Sequence, residues 1–436
     1  MTPATARVGG GRGAGQGSSR VVARGFDGAW EQLADLPLPA AAAVAVLDNL
    51  QAVRAVWSAA RDGGELLVAS RTRLTSDLRD ELRAAGLAVV DLGPDDDPSG
   101  GLGDRVDERL GDRVGERVSV AEATAPRPPS SGRVWLLTSG STGRPKRVAH
   151  TLDSLTTVTG SQPPRTWLCP YAHGAYAWWQ VVTLSLRHPG QDVLFIEPDE
   201  LDSWPARALE VGVTAVSGTP TFWRQALYRD PDAVAALPLA QITLGGEPVD
   251  QAILTRLSEL FPSARVSWIY ASSEAGASIA VHDGRAGFPQ EWLGRTGAGH
   301  ATLSVVDGEL LIESARRGQG VDAVLHTGDR VEVVGGRVLI TGRIASDEIN
   351  VGGAKASAAA VRDVLLAHPS VVWAAVRGRR APIVGRIVTA DVVLSDETTV
   401  AELTAWCSER LPEYAVPRRL RVLDQIPIKE SLKSDV

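Results

Sequence analysis

The stretch Val134-Trp-Leu-Leu-Thr-Ser-Gly-Ser-Thr-Gly-Arg-Pro-Lys146 decides how the chain is read. Its first four residues are a short apolar run of the kind that forms a buried strand. The residues after it are almost all small, hydroxylated or cationic. Small side chains let backbone N–H groups close on a polyphosphate, hydroxyls add donors, and a lysine adds charge. Thr138, Ser139, Gly140, Ser141, Thr142, Gly143 and Lys146 are therefore expected to form a phosphate-binding loop. Its spacing, G-x-x-G-x-x-K from Gly140 to Lys146, is not the Walker pattern G-x-x-x-x-G-K-S/T.

Working outward, similar apolar runs recur at 192–196, 213–216, 241–244 and 266–270, each ending at a Gly, Ser or Pro turn. Upstream, the runs at 65–69 and 87–91 bracket a helical stretch at 75–85. Strands alternating with helices predict a parallel α/β sheet, whose site residues lie just after the strands. Beyond Gly342-Arg343 the pattern becomes a compact unit: a helix over 356–368, strands over 371–376 and 384–393, and a helix over 400–410. A domain boundary is expected near Gly342.

The chain has 436 residues, 44% hydrophobic and 22% charged, more than one core usually holds. A formal net charge of −7 gives no basic footprint for nucleic acid. Cys169 and Cys407 stand far apart without ligand spacing, which fits a reducing, cytoplasmic setting. No run of about 18 apolar residues marks a membrane span. Residues 1–20, rich in Gly, Arg, Ser and Ala, read as a disordered arm. Residues 94–131 hold a tandem duplication, Gly103-Asp-Arg-Val-Asp-Glu-Arg-Leu110 and Gly111-Asp-Arg-Val-Gly-Glu-Arg-Val118, and read as a linker or insertion.

Over roughly residues 133–436 the chain resembles the adenylate-forming superfamily of acyl-CoA synthetases, peptide-synthetase adenylation domains and luciferases. The loop at 138–146 is similar to its phosphate-loop signature, and further motifs follow in the family's order. Pro170-Tyr-Ala-His173 resembles the segment beside the acyl pocket, and Gly218-Thr-Pro-Thr221 the threonine-proline turn. Gly245-Gly-Glu-Pro248, with Gly246 and Glu247, resembles the strand end where adenine and acyl chain meet. Tyr270-Ala-Ser-Ser-Glu274, His326-Thr-Gly-Asp329 and Gly342-Arg343 resemble three more nucleotide motifs, and Ile426-Pro-Ile-Lys-Glu-Ser-Leu-Lys433 the terminal lysine motif.

The resemblance implies an α/β fold: a large multi-sheet amino-terminal adenylation domain over 21–341, shortened at its start, and a smaller, mobile α+β lid over 342–436. It implies ATP and Mg2+, with Asp329 and Arg343 on the ribose, Glu274 on the metal and Ser273 on the α-phosphate, roles suited to their chemistry. Lys433 is the implied catalytic lysine, offsetting charge as carboxylate meets α-phosphate. His173, Trp178, Gly218, Trp223, Gly245 and Ser272 are candidates to line an acyl pocket, with His173 also a candidate catalytic group.

Three features depart from the family's pattern. Ala345 stands where an acidic hinge residue is usual, with Asp347 nearby. Leu432 replaces the glycine before the lysine, and the part before the loop is short. The expected activity is activation of a small carboxylic acid as acyl-AMP and its transfer to coenzyme A. The segment Asn350-Val-Gly-Gly-Ala-Lys355 resembles the loop lining the thiol tunnel of CoA ligases. Transfer to an amine or a carrier protein, activation of another oxyanion such as nitrite, and a nucleotide-binding protein without turnover are the alternatives.

Overall fold

A computed structural model of the chain describes residues 18–94, 116–138, 145–297, 300–344, 348–351, 353–381 and 385–427. Two sheets form the frame of the large part. In the first, six strands run in the order Glu116–Ala121, Ala88–Pro94, Ala41–Val46, Glu65–Ser70, Arg133–Thr138 and Lys146–Thr151. Its four inner strands are parallel and the two edges antiparallel. Ala41–Val46 at its centre is buried along almost its whole length, as a parallel strand covered on both faces must be.

The second sheet has eight strands, ordered Gly276–Val281, Arg265–Ser272, Gln241–Gly245, Ala215–Gly218, Arg165–Cys169, Gln191–Phe195, Arg20–Ala23 and Phe26–Ala29. Helices Asn49–Asp62 and Tyr176–Arg187 lie between the two sheets, sharing one core that includes Val44, Val68, Trp178, Trp179, Val182 and Phe195. The Asp48 carboxylate caps the first helix by accepting from Gln51 N at 2.8 Å, and Gly63 closes it at φ 72°. A second core covers the other face of the eight-stranded sheet with helices Trp204–Val211, Pro220–Arg229 and Gln251–Leu260. It continues into an antiparallel sheet of five strands, Phe288–Pro289, Arg337–Arg343, Val324–Val334, Glu309–Glu313 and Thr302–Val306.

The carboxy-terminal part has its own core. Helices Ala358–Leu366 and Val400–Arg410 pack on a three-stranded sheet of Val371–Ala381, Gly385–Leu394 and Arg419–Val422, beside a hairpin of Glu348–Val351 and Ala354–Ser357. This is the mixed α/β, multi-sheet arrangement with a smaller second domain that the sequence predicts. Among the described residues, no helix is long and apolar enough to cross a membrane.

Two segments differ from expectation. Arg20, put at the end of the disordered arm, opens a strand beside Gln191–Phe195, with Ser19 already buried. Glu116–Ala121, put inside the linker or insertion, is the antiparallel edge of the six-stranded sheet, where Val118 opposite Leu92 is buried. The charge-rich repeat masks the apolar alternation of Val118 and Val120 that builds that edge.

Candidate functional site

Four parallel neighbours of the eight-stranded sheet, Arg165–Cys169, Ala215–Gly218, Gln241–Gly245 and Arg265–Ser272, end on one edge. Gly218, Gly245, Tyr270 and Ser272 lie at the ends of these strands and His173, Gly246, Glu247, Ser273 and Glu274 come after them, where open α/β sheets bind ligands.

Tyr270, Asp329 and Arg343 come together from two sheets. The Tyr270 hydroxyl donates to Asp329 Oδ2, and Arg343 Nε lies 3.0 Å from Asp329 Oδ1. Asp329 and Arg343 are cross-strand partners of the hairpin Val324–Val334 and Arg337–Arg343, so the sheet register sets this ion pair. Arg343 also donates to Thr327 O at 2.6 Å, and Thr327 Oγ1 accepts from Asp329 N at 3.0 Å. Asp329 is buried, and burial raises its pKa against the opposing pull of Tyr270 and Arg343. Burial and the Asp329 carboxylate together push the Tyr270 hydroxyl up, keeping it a donor. Each carboxylate oxygen keeps a second lone pair, enough to accept from a vicinal diol such as a ribose.

Between Arg265–Ser272 and Gly276–Val281 the chain turns through Ser273 and Glu274. Ser272 Oγ accepts from Ala275 N at 3.0 Å, and Glu274 O accepts from Gly318 N at 2.8 Å. Gly276 sits at φ 75°, and a Cβ there would meet Arg316 O at 2.8 Å, so only glycine lets the turn pass this backbone. Glu274 is half-buried, and no ion pair of its carboxylate is found among the described residues. A carboxylate left open at a backbone-held turn fits a hard cation shared with phosphate oxygens.

Thr138 ends the strand Arg133–Thr138 and pairs with Lys146, so both ends of the expected phosphate loop are fixed in one hairpin, with Lys146 exposed. Ser139, Gly140, Ser141, Thr142 and Gly143 lie outside the described residues, as do Lys433, Leu432, Ala345 and Asp347.

Gly245 is the last residue of its strand and Gly246 takes φ 82°. Glu247 then reaches back, accepting from Thr221 N and Thr221 Oγ1, both at 3.0 Å, which ties two of the expected motifs together. Ser217 Oγ and Tyr171 OH meet at 3.2 Å across the neighbouring strand ends. At Gly218 a Cβ would stand 2.5 Å from the Phe222 ring, so that ring fills the space beside the strand end.

His173 is buried after the strand Arg165–Cys169, with Nε2 3.7 Å from Glu197 Oε2 and with Nδ1 unpartnered among the described residues. Burial and the nearby Arg73 push its pKa down to about 4, so at neutral pH it is an uncharged imidazole. Burial pushes Glu197 up, although Asn49 donates to its Oε1 from N at 2.8 Å and from Nδ2 at 3.1 Å. Asn49 Oδ1 in turn accepts from Trp178 Nε1 at 3.0 Å. The sequence carries no signal for Glu197 or Asn49 beside His173.

Trp178 and Trp223, candidates for the pocket wall, are corrected by their burial. Both have no accessible surface: Trp178 packs between the two sheets, and Trp223 lies against Trp204, Phe222 and Phe261. Their payload is apolar area taken from water in the two main cores. Among the described residues no group of three or more His, Cys, Asp or Glu is arranged to hold a metal ion.

The class this geometry defines is an α/β protein with a strand hairpin flanking a small-residue loop, a buried carboxylate held by a tyrosine and an arginine, and a half-buried carboxylate at a strand turn with no ion pair among the described residues. The AMP-binding enzyme family model matches residues 38–320, and that of the AMP-binding enzyme C-terminal domain matches 361–433. The chain belongs to this family of adenylate-forming enzymes. It is 29% identical over 259 residues to 4-chlorobenzoate–CoA ligase of an Arthrobacter species, covering 52% of this chain and 49% of that one. It is also 35% identical over 130 residues to 2-succinylbenzoate–CoA ligase of Bacillus cytotoxicus, covering 30% and 27%. The chain thus spans about half or less of the length of these relatives. Among solved structures, a variant of E. coli MenE superposes with TM-score 0.67 at 17% identity, covering 93% of each chain. The amide bond synthetase McbA of Marinactinospora thermotolerans gives 0.66 at 21%, covering 97% and 96%.

Proposed function

We propose that the chain activates a small carboxylic acid with ATP, releasing pyrophosphate, and transfers the acyl group to coenzyme A. The observation that carries this reading is Asp329, held between Tyr270 and Arg343, with the Ser273–Glu274 turn leaving the same strand that bears Tyr270. In the first half, a carboxylate oxygen of the acid attacks the α-phosphorus and the bond to the bridging oxygen of the β-phosphate breaks. Pyrophosphate leaves and an acyl-AMP anhydride remains. Asp329 and Arg343 hold the ribose, and the loop from Thr138 to Lys146 holds the phosphates. Lys433 offsets the negative charge that gathers between the two reactants, the electrostatic work that usually dominates such catalysis. Glu274 would hold magnesium, which would supply charge neutralisation there.

In the second half a thiolate attacks the acyl carbonyl, the C–O bond breaks, and AMP leaves. His173 is neutral, and its Nδ1 has no partner among the described residues. This supports a polar contact to the acid rather than a proton carried at neutral pH. The relatives named as CoA ligases support coenzyme A as the acceptor, and an amine, a carrier-protein arm or another oxyanion such as nitrite are the readings that an experiment separates.

The test is acid-dependent ATP–pyrophosphate exchange over a panel of aliphatic, aryl and amino acids. Exchange with one acid class, followed by that acid's thioester on adding coenzyme A, is the expected result. Exchange without thioester would move the acceptor to an amine or carrier protein, and ATP binding without exchange for any acid would overturn acid activation.

A further inference from the structure

His150 belongs to none of the motifs above, yet it joins two of them. It sits on Lys146–Thr151, the strand that leaves the phosphate-loop hairpin, and has no accessible surface. Its Nε2 lies 2.7 Å from Ser273 O, across a separation of 123 residues, and its Nδ1 lies 3.0 Å from Ser154 Oγ. A carbonyl oxygen only accepts, so Nε2 carries the proton and the ring spans from strand to turn as a fixed tautomer. Ser154 is itself set by a reciprocal cap: its Oγ accepts from Thr151 N at 3.0 Å, while Thr151 Oγ1 accepts from Ser154 N at 3.1 Å. The Tyr176 ring lies 6.0 Å from the imidazole, and its hydroxyl accepts from Ala277 N at 2.8 Å on the far side of the same turn. Backbone completes the frame, with Gln319 N donating to Ala149 O at 2.7 Å and Gly318 N to Glu274 O at 2.8 Å.

We propose that His150 is a positioning residue for the Ser273–Glu274 turn, fixing the metal carboxylate and the α-phosphate hydroxyl at a set distance from the strand Lys146–Thr151. This rests on the reading of Glu274 as the magnesium ligand. The imidazole does not touch the nucleotide; it acts through Ser273 O. A half-buried carbonyl that loses its donor must turn to water or move, and the turn it belongs to moves with it. Such a shift weakens the metal–phosphate contact and leaves the ribose site of Tyr270, Asp329 and Arg343 as it was.

The test compares His150→Leu, His150→Gln and His150→Asn in the full chain. Glutamine reaches the position of Nε2 and keeps a donor to Ser273 O, asparagine reaches only Nδ1, and leucine keeps neither. Calorimetry of ATP binding, with magnesium and with a chelator, gives the primary readout. Leu and Asn are expected to weaken Mg-ATP binding about tenfold while changing metal-free ATP binding less than twofold, with Gln near wild type. Hydrogen exchange of the 273–276 amides is expected to rise in Leu and Asn and stay slow in Gln. If Leu fails to fold, the contrast between Gln and Asn decides the same question. Equal Mg-ATP binding in all variants, or equal loss with and without magnesium, would overturn the role of His150. A wild-type chain that binds ATP with no magnesium dependence would instead overturn the metal reading of Glu274, and this proposal with it.

Discussion

In the proposed reaction Asp329 is the carboxylate that meets the ribose, and its neighbours set its orientation. Its two oxygens are each occupied once, by Tyr270 and by Arg343, and its backbone N–H is taken by Thr327. The side chain therefore has one orientation before any nucleotide arrives, and little ordering entropy is left to lose on binding. Asp329→Asn keeps the shape but replaces one acceptor oxygen with a donor and removes the charge. Binding of ATP measured by calorimetry is expected to weaken ten- to hundredfold, the size of a lost hydrogen bond to a charged group. A change below twofold would separate Asp329 from the nucleotide. This residue was legible because its motif is contiguous, His326-Thr-Gly-Asp329. Glu197 and His150 were not, because their partners Asn49 and Ser273 stand 148 and 123 residues away and chain order carries no trace of that contact. Trp178 and Trp223 mark the opposite failure, since an aromatic beside a motif looks the same in sequence whether it walls a pocket or fills a core.

Between elements, buried polar groups set how strands and loops meet. Glu65 opens the strand Glu65–Ser70 with a fully buried carboxylate that accepts from Arg127 Nη1 at 2.9 Å, Ser130 N at 2.8 Å and Trp135 Nε1 at 2.6 Å. It thereby pins residues 127–130 against the sheet. A Cβ at Gly86 would stand 2.5 Å from Arg127 Cγ, so glycine is what admits the arginine. Burial alone would raise the pKa of Glu65, but Arg127 and the two N–H donors outweigh it and hold the carboxyl below its ordinary value of 4.5. A depressed carboxylate contributes stability above its unfolded pKa and loses it as pH falls through the folded value. Glu65→Gln is therefore expected to cost about 1–3 kcal/mol at pH 7, with the gap to wild type closing below about pH 4.5. Denaturant titrations at pH 7 and at pH 4 check both parts, and a gap independent of pH would remove the ionic contribution. Strands were read well from apolar runs. Edge strands such as Glu116–Ala121 were not, because a charged repeat and a largely half-buried strand leave Val118 as the one buried position among its described side chains.

On the scale of the whole molecule, the large and small parts meet at a buried ion pair. Arg224 on helix Pro220–Arg229 lies 2.5 Å from Asp250 Oδ2 and donates to Val372 O of the small domain at 3.1 Å. Asp250 also caps helix Gln251–Leu260 by accepting from Ile253 N at 3.2 Å, and Arg224 holds its carboxyl below the usual range despite burial. Arg224→Met leaves that carboxylate without its main partner and releases Val372. A loss of about 3–5 kcal/mol is expected, with faster hydrogen exchange in helix Pro220–Arg229 and strand Val371–Ala381. Unchanged exchange in that strand would show that the contact does not hold the two parts together. The most direct measurement of what the chain does is ATP–pyrophosphate exchange with its best acid, in wild type and in Lys433→Ala. Acid-dependent exchange that falls at least a hundredfold in the variant, while both proteins bind ATP equally, is the expected result. No exchange with any acid in a wild-type chain that binds ATP, or full exchange in the variant, would contradict it.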